Sequence, residues 1–395
     1  MTPGARTQAA IELLDEIVAA AASGGAAADT LIARYFATRR YAGSKDRRAV
    51  RELVYAAIRQ AGPAPASGRA AMVALADRDP AVAETFDGAG HGPTPISADE
   101  PRAEGGIAPA WLVEALTASG LDERQQAAQV DRAPLDVRVN SLATTREAVL
   151  EQWPEAQPTA TAPLGLRLAS GTAVEQSDLY RAGLVEVQDE GSQLVGAALA
   201  AKPGEWLVDL CAGAGGKTLQ IAAAMANQGT LLACDIDRAR LQRLPPRAER
   251  AGVTVIESRL LNPGHEVEML ADWAGKADGV LIDAPCSGTG TWRRNPEARW
   301  RLTPERLTRL RAMQDHVLEI GSGLVKPGGR LIYIVCSLLD AEGTDQVAAF
   351  LSRHSDWTAE PVQPAIGTAH GLGHRLDPAT HGTDGFFVAC LRAPC

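Results

Sequence analysis

Aromatic residues are scarce: Phe, Tyr and Trp make up 4% of the 395 residues. Cysteine is sparse as well, with thiols only at Cys211, Cys234, Cys286, Cys336, Cys390 and Cys395, and no C-x-x-C pair among them. With no histidine at ligand spacing beside them, neither a disulfide framework nor a zinc site is indicated, and no metal is expected. Positive charge is in deficit, since 39 Lys and Arg against 48 Asp and Glu leave a net charge of -9. That balance argues against a protein that coats nucleic acid through bulk electrostatics. No stretch approaches the roughly 18 consecutive apolar residues of a membrane helix. Glu12, Asp15 and Glu16 interrupt the N-terminal apolar segment where a signal peptide is uncharged. A cytoplasmic monomer with no membrane partner is therefore expected. What is present is a 46% hydrophobic chain of mean hydropathy -0.09, enough to bury a core and too long for one compact domain.

The overall charge hides two basic islands. Arg34, Arg39, Arg40, Lys45, Arg47, Arg48, Arg51 and Arg59 face only Asp46 and Glu52; Arg293, Arg294, Arg299, Arg301, Arg306, Arg309 and Arg311 face only Glu297 and Glu305. Each reads either as a solvated helix face or as a footprint for a polyanion.

Residues 1–132 carry apolar positions three and four apart, which predicts helices over 9–22, 30–38, 46–58, 70–76, 109–118 and 123–129, with a Gly/Pro-rich loop at 86–108. From Pro134 the pattern alternates in short pieces, so 133–192 reads as a small α+β segment. Across 193–395 strands and helices alternate, with strands at 206–210, 230–235, 254–258, 279–283, 330–335 and 386–391. That order predicts an α/β domain with a mainly parallel, doubly wound sheet.

Ligands of such sheets sit beyond the carboxyl ends of the strands, and four of these ends carry chemistry. The first strand runs into Cys211-Ala212-Gly213-Ala214-Gly215-Gly216-Lys217-Thr218, a glycine turn opening a helix, but Cys211 stands where a phosphate-binding P-loop needs its first glycine. The second ends at Asp235, placed to accept ribose hydroxyls of a dinucleotide or of S-adenosylmethionine. The fourth ends Asp283-Ala284-Pro285-Cys286, and the fifth delivers a second thiol in Val335-Cys336-Ser337. Hydride chemistry has no use for two thiols. Methylating C5 of a pyrimidine does, because that carbon becomes nucleophilic only after a thiolate adds to C6.

Together with Arg293-Arg294-Asn295-Pro296-Glu297, Gln188-Asp189-Glu190-Gly191-Ser192 and Asp384-Gly385-Phe386-Phe387, these motifs resemble the RNA 5-methylcytosine methyltransferases of the RsmB/Sun (Fmu) type, related to the NSUN enzymes. The resemblance covers almost the whole chain, and residues 51–59 are similar to the NusB-like RNA-binding domain at the front of the RsmB branch. It implies a Rossmann-like class I S-adenosylmethionine methyltransferase domain at 193–395, a connecting subdomain at 133–192 and an all-α NusB-like domain at 1–132. It implies that residues 211–217 hold the methionine end of the cofactor and Asp235 its ribose. Cys336 becomes the nucleophile, Cys286 the group that assists product release, and Asp283 the support for proton transfer on the ring, with Lys217 contacting ligand or orienting Asp283. Arg293, Arg294, Arg47, Arg48 and Arg51 become candidate RNA contacts, and Trp292 and Trp300 either stack on bases or pack in a core.

Three departures stand out. The glycine loop lacks the family's Ala-Pro-Gly-Gly-Lys, Val335 replaces the Thr before the nucleophile, and no acidic residue ends the third strand, which leaves Arg259 as the nearest candidate for the adenine. The expected activity is methylation of cytosine in small-subunit rRNA. The alternatives are a tRNA cytosine methyltransferase and a catalytically idle RNA-binding assembly factor.

Overall fold

A computed structural model describes residues 1–395, which divide into two compact units: Met1–Arg132 with Thr291–Pro304, and Ala133–Gly290 with Glu305–Cys395.

The first unit is helical, with helices at Pro3–Ser23, Ala28–Ala37, Ser44–Gln60, Gly68–Ala76, Pro80–Ala83, Ala110–Ala118 and Glu123–Ala128. Side chains that accept from free N-terminal amides begin four of them: Thr2 from Ala5, Ser67 from Ala70, Asp79 from Ala81, and Asp122 from Gln125 within a capping box. The three-and-four spacing delivers Leu13, Leu14, Ile17, Val50, Val54, Ile58 and Met72 to one core.

That core has a contribution absent from the sequence reading. Thr291–Pro304, expected inside the 193–395 domain, belongs to the helical unit. Glu297 accepts from Ala28 N at 2.9 Å. Arg299, fully buried, donates from Nη2 to Ile58 O and Ala61 O at 2.6 Å each, where helix Ser44–Gln60 ends. A guanidinium there satisfies orphan carbonyls and meets the negative end of the helix dipole. Burial pushes its pKa down to about 9. Trp300 joins the core and donates to Gly62 O at 3.1 Å, while Arg301 donates to Gly25 O and Ala26 O at 2.6 Å each. Two of the seven arginines of the second basic island, Arg299 and Arg301, are thus internal scaffolding, and both Trp292 and Trp300 are buried packing residues.

The second unit opens with a four-stranded antiparallel sheet, β1 (Leu135–Val139), β2 (Gln157–Pro158), β3 (Gly165–Leu168) and β4 (Val185–Val187), in the order β2-β3-β1-β4. Asn140 beyond β1 donates to Gly183 O at 2.8 Å and Ala251 O at 2.9 Å, and buried Glu186 on β4 pairs with Arg247 and Arg250.

The main sheet contains β5 (Trp206–Asp209), β6 (Thr230–Asp235), β7 (Ile256–Leu260), β8 (Ala277–Asp283), β9 (Val325–Val335), β10 (Thr358–Glu360), β11 (Thr368–His370), β12 (Gly373–Leu376) and β13 (Phe386–Arg392). Its order is β11-β12-β13-β9-β8-β5-β6-β7, with β10 beside β13. Strands β5 to β9 are parallel and β13 runs antiparallel to β9. Alternate residues face opposite layers: Leu207, Leu231, Leu281 and Ile332 enter one core, Val208, Leu232, Val280 and Leu331 the other. This is a Rossmann-like α/β sheet. The chain leaves β5 toward β6 and β7, then returns on the other side as β8 and β9, so the strand order reverses between β5 and β8 and opens a crevice at their carboxyl ends. Between β6 and β7 the chain forms two short helices, Arg238–Leu241 and Leu244–Arg250, and Pro245 and Pro246 follow the break, where proline can begin a helix but not continue one.

Candidate active site

The crevice floor begins with Asp209 at the end of β5. Its Oδ2 accepts from Thr218 Oγ1 at 2.6 Å, while Oδ1 is buried without a partner. Burial, opposed by the Thr218 hydrogen bond, pushes its pKa from 3.8 up to about 7. Sequence reading passed over this residue, although an acidic strand end before a glycine turn was the available signal.

The turn itself needs glycine. Gly213 and Gly215 adopt φ of 56° and 87°, and a Cβ at Gly215 would lie 2.2 Å from Leu244 Cδ1. At Gly216 a Cβ would meet nothing within 4 Å, so the mouth of the turn is open. Asp235, buried at the end of β6, accepts from Gly213 N and from Asp237 N at 2.7 Å each. Its first duty is therefore to hold the loop, and two carboxylate oxygens with one bond apiece retain capacity for ligand hydroxyls. Arg247 Nη1 fixes the loop from outside through Ala214 O at 2.5 Å. Cys211 and Ala212 lie at the loop base, where burial pushes the Cys211 thiol well above its usual range and keeps it inert.

Lys217, buried at the start of the next helix, reaches across the crevice to Asp283 Oδ2 at 2.7 Å. Burial, the largest single influence, would lower its pKa, but attraction to Asp283 and the hydrogen bond to it, joined by Cys336 and Asp209, together raise it, so the ammonium is held charged. Its Nζ also lies 5.6 Å from the Phe386 ring centroid, which gives the late Asp384-Gly385-Phe386-Phe387 motif a place at the site. The two thiols from β8 and β9 meet, Cys286 Sγ and Cys336 Sγ standing 3.3 Å apart. Hydrogen bonding to Cys336, and then burial, push the Cys286 thiol well above its usual range. Asp283, Lys217, Cys286 and Cys336 form one constellation.

The family model described as "16S rRNA methyltransferase RsmB/F" matches residues 196–392. The chain is 38% identical over 302 residues to "Probable ribosomal RNA small subunit methyltransferase B" of Synechocystis sp., covering 72% of this chain and 66% of that protein. It is 36% identical to "Ribosomal RNA small subunit methyltransferase B" of Xylella fastidiosa, over 72% of this chain and 68% of that protein. The chain belongs to the RsmB/F family. It spans about two thirds of the length of these relatives. The crystal structure of PH0851, at 24% identity, shares the fold over 99% of both chains with a TM-score of 0.77.

Within this RsmB/F chain the remaining expected site residues are dispersed. Arg259 does not line the crevice as an adenine contact: it donates to both oxygens of Asp272 at 2.6 and 3.0 Å, to Glu257 at 2.6 Å and to Met269 O at 2.8 Å. Those bonds consume its fork and make it a brace at the sheet edge, so no adenine contact is assigned to it. In the helical unit Arg47 donates to Ala42 O at 2.9 Å, Arg51 pairs with Asp29 at 2.8 Å, and Arg48 is exposed with no ion-pair partner. Arg293 is buried, so its expected phosphate contact is withdrawn, and Arg294 is half-buried.

Proposed function

We propose that this chain is an S-adenosylmethionine-dependent methyltransferase that forms 5-methylcytosine in RNA, acting on small-subunit rRNA. The observation that carries the reading is the pair of thiols 3.3 Å apart at neighbouring strand ends, beside the Lys217–Asp283 ion pair. Family membership supports the rRNA substrate.

The residues present fit the cofactor. The orphaned buried Oδ1 of Asp209 suits an ammonium group, the open turn at Gly216 leaves room for backbone approach, and Asp235 has acceptor capacity for ribose hydroxyls. S-adenosylmethionine, when bound, supplies an electrophilic methyl group. The chain's own groups do the rest. Cys336 adds through sulfur to C6 of cytosine, and the ring electrons move toward N3 and C5. Asp283, one third exposed with Oδ1 outside the lysine pair, accepts from the exocyclic amino group of the ring and so orients the base, and the Lys217 cation anchors and neutralises the carboxylate as that charge develops. Cys286, held as a thiol, does not compete for C6 and stands beside the Cys336 sulfur that must leave. Loss of the C5 proton to solvent then lets its electron pair reform the C5–C6 double bond and expel sulfur, which restores the Cys336 thiolate and frees the product.

The test is adduct trapping on full-length protein with rRNA. Cys336→Ala should lose methyl transfer and show no covalent RNA band on a denaturing gel, while Cys286→Ala should accumulate one. A band persisting in Cys336→Ala refutes the nucleophile. Bisulfite sequencing of rRNA and tRNA from a deletion strain identifies the substrate, and loss of a tRNA site alone overturns the rRNA reading.

A further inference from the structure

Behind the two thiols lies a carboxylate that the chemistry above does not use. Glu342 is fully buried, and no Lys or Arg pairs with it. Its donors are neutral: Oε1 accepts from Ser287 N at 2.8 Å and Gln314 Nε2 at 2.9 Å, while Oε2 accepts from Ser337 Oγ at 2.6 Å and from Ser287 Oγ. A buried carboxylate without a cation is an expensive way to stabilise a fold, since a well-packed apolar side chain of similar volume does as well or better.

The donors explain where it sits. Ser287 follows Cys286, Ser337 follows Cys336, and Gln314 also donates to the carbonyl of Pro285, which precedes Cys286, at 3.0 Å. The same two loops are laced further along, where Leu338 N donates to Thr289 Oγ1 at 2.8 Å and Gly290 N to Cys336 O at 3.0 Å. Every hydrogen bond to the carboxylate therefore ends on a residue adjoining a thiol, or on the glutamine that grips the Cys286 loop. We propose that Glu342 is the positioning residue that sets the spacing of Cys286 and Cys336. Its importance for turnover rests on the reading of those two thiols as the reacting pair. One four-connected carboxylate ties two independent strand ends, so that a shift of either loop strains bonds on both. Glutamine at this position keeps the volume but replaces an oxygen that accepts two hydroxyls by a donor.

The experiment reads thiol spacing in the free full-length protein, without RNA. Diamide takes one hydrogen from each of two adjacent thiols, closing an S–S bond and itself becoming the hydrazine, and the Cys286–Cys336 disulfide is followed by peptide mass spectrometry. Sulfurs 3.3 Å apart need only a short approach to the ~2.05 Å bond, so the native protein should cross-link quickly. Glu342→Gln should slow cross-linking at least about tenfold, and the double substitution Ser287→Ala with Ser337→Ala should reproduce the effect. In methylation assays Glu342→Gln should lower kcat at least about tenfold with KM for RNA and S-adenosylmethionine within about twofold, the pattern of displaced reacting groups. A folded Glu342→Gln protein that cross-links at the native rate overturns the proposal; if that variant does not fold, native cross-linking by the serine double variant overturns it instead. Slowed cross-linking in a protein whose native form methylates no RNA upholds the positioning and refutes the activity.

Discussion

Replacing Asp209 by Asn removes an ionisable group from the crevice floor at nearly constant volume. In the native protein burial raises this carboxyl from 3.8 to about 7, against the pull of the Thr218 hydrogen bond and with Asp283 adding to the rise. Between those values the unfolded chain has released a proton that the native chain keeps. Native Asp209 thus binds more protons than unfolded Asp209, and stability falls as pH rises through that window. A shift of about three units at ~1.36 kcal/mol each sets an upper bound of about 4 kcal/mol, which local relaxation trims to about 2 to 4 kcal/mol. The asparagine amide cannot titrate, and its oxygen can still accept from Thr218. Urea unfolding of the ligand-free protein, followed by circular dichroism between about pH 5 and 8, should show the Asp209→Asn variant gaining on the native protein as pH rises, with a plateau above about pH 7. A constant difference across that range refutes a raised Asp209 and, with it, the idea that the floor stores an unpaired acid.

Lys217→Met should cut methyl transfer about 100-fold by removing the cation that anchors Asp283. Stability should change by less than about 1 kcal/mol, because the carboxylate is one third exposed and can be hydrated; steady-state kinetics and thermal unfolding read the two effects separately. Arg299→Ala should destabilise the helical unit by about 2 to 4 kcal/mol, through two lost bonds to buried carbonyls and the cavity left behind. Hydrogen exchange of helix Ser44–Gln60 should accelerate accordingly, and unchanged protection there would contradict the packing described.

The helices of the first unit were legible because segments with three-and-four spacing have one low-energy use, and Pro3–Ser23 and Ser44–Gln60 outrun the expected 9–22 and 46–58, the first mainly at its N-terminal end. Parallel strands β5, β6, β8 and β9 were legible for a different reason: they read as apolar runs with buried interiors, and the residues that follow each run, Asp209, Asp235, Asp283 and Cys336, are those that meet in the crevice. The proline pair at 245–246 marks a helix break in the sequence itself, whereas the short strands β10 to β12 escaped notice because only tertiary pairing defines them. Arg259 was misread since its partner Asp272 lies beyond an intervening turn. Arg299 was counted with a solvated or polyanion-binding basic island because composition carries no trace of contacts made some 240 positions away. The raised pKa of Asp209 is likewise a property of what surrounds it.

The insertion of Thr291–Pro304 into the first unit bears on how the protein is made. Chains emerge N-terminus first, and domains generally fold as they emerge. Here the helical unit, although encoded first, lacks Arg299 and Trp300 until some 300 residues have been synthesised. Its helix ends near Ile58 and Ala61 wait with unsatisfied carbonyls through the synthesis of β1 to β8. Nascent chains arrested before residue 291 should therefore present a protease-sensitive front half, and those arrested well beyond residue 304 a resistant one. The front of the molecule is finished by its middle, and birth order and folding order part company.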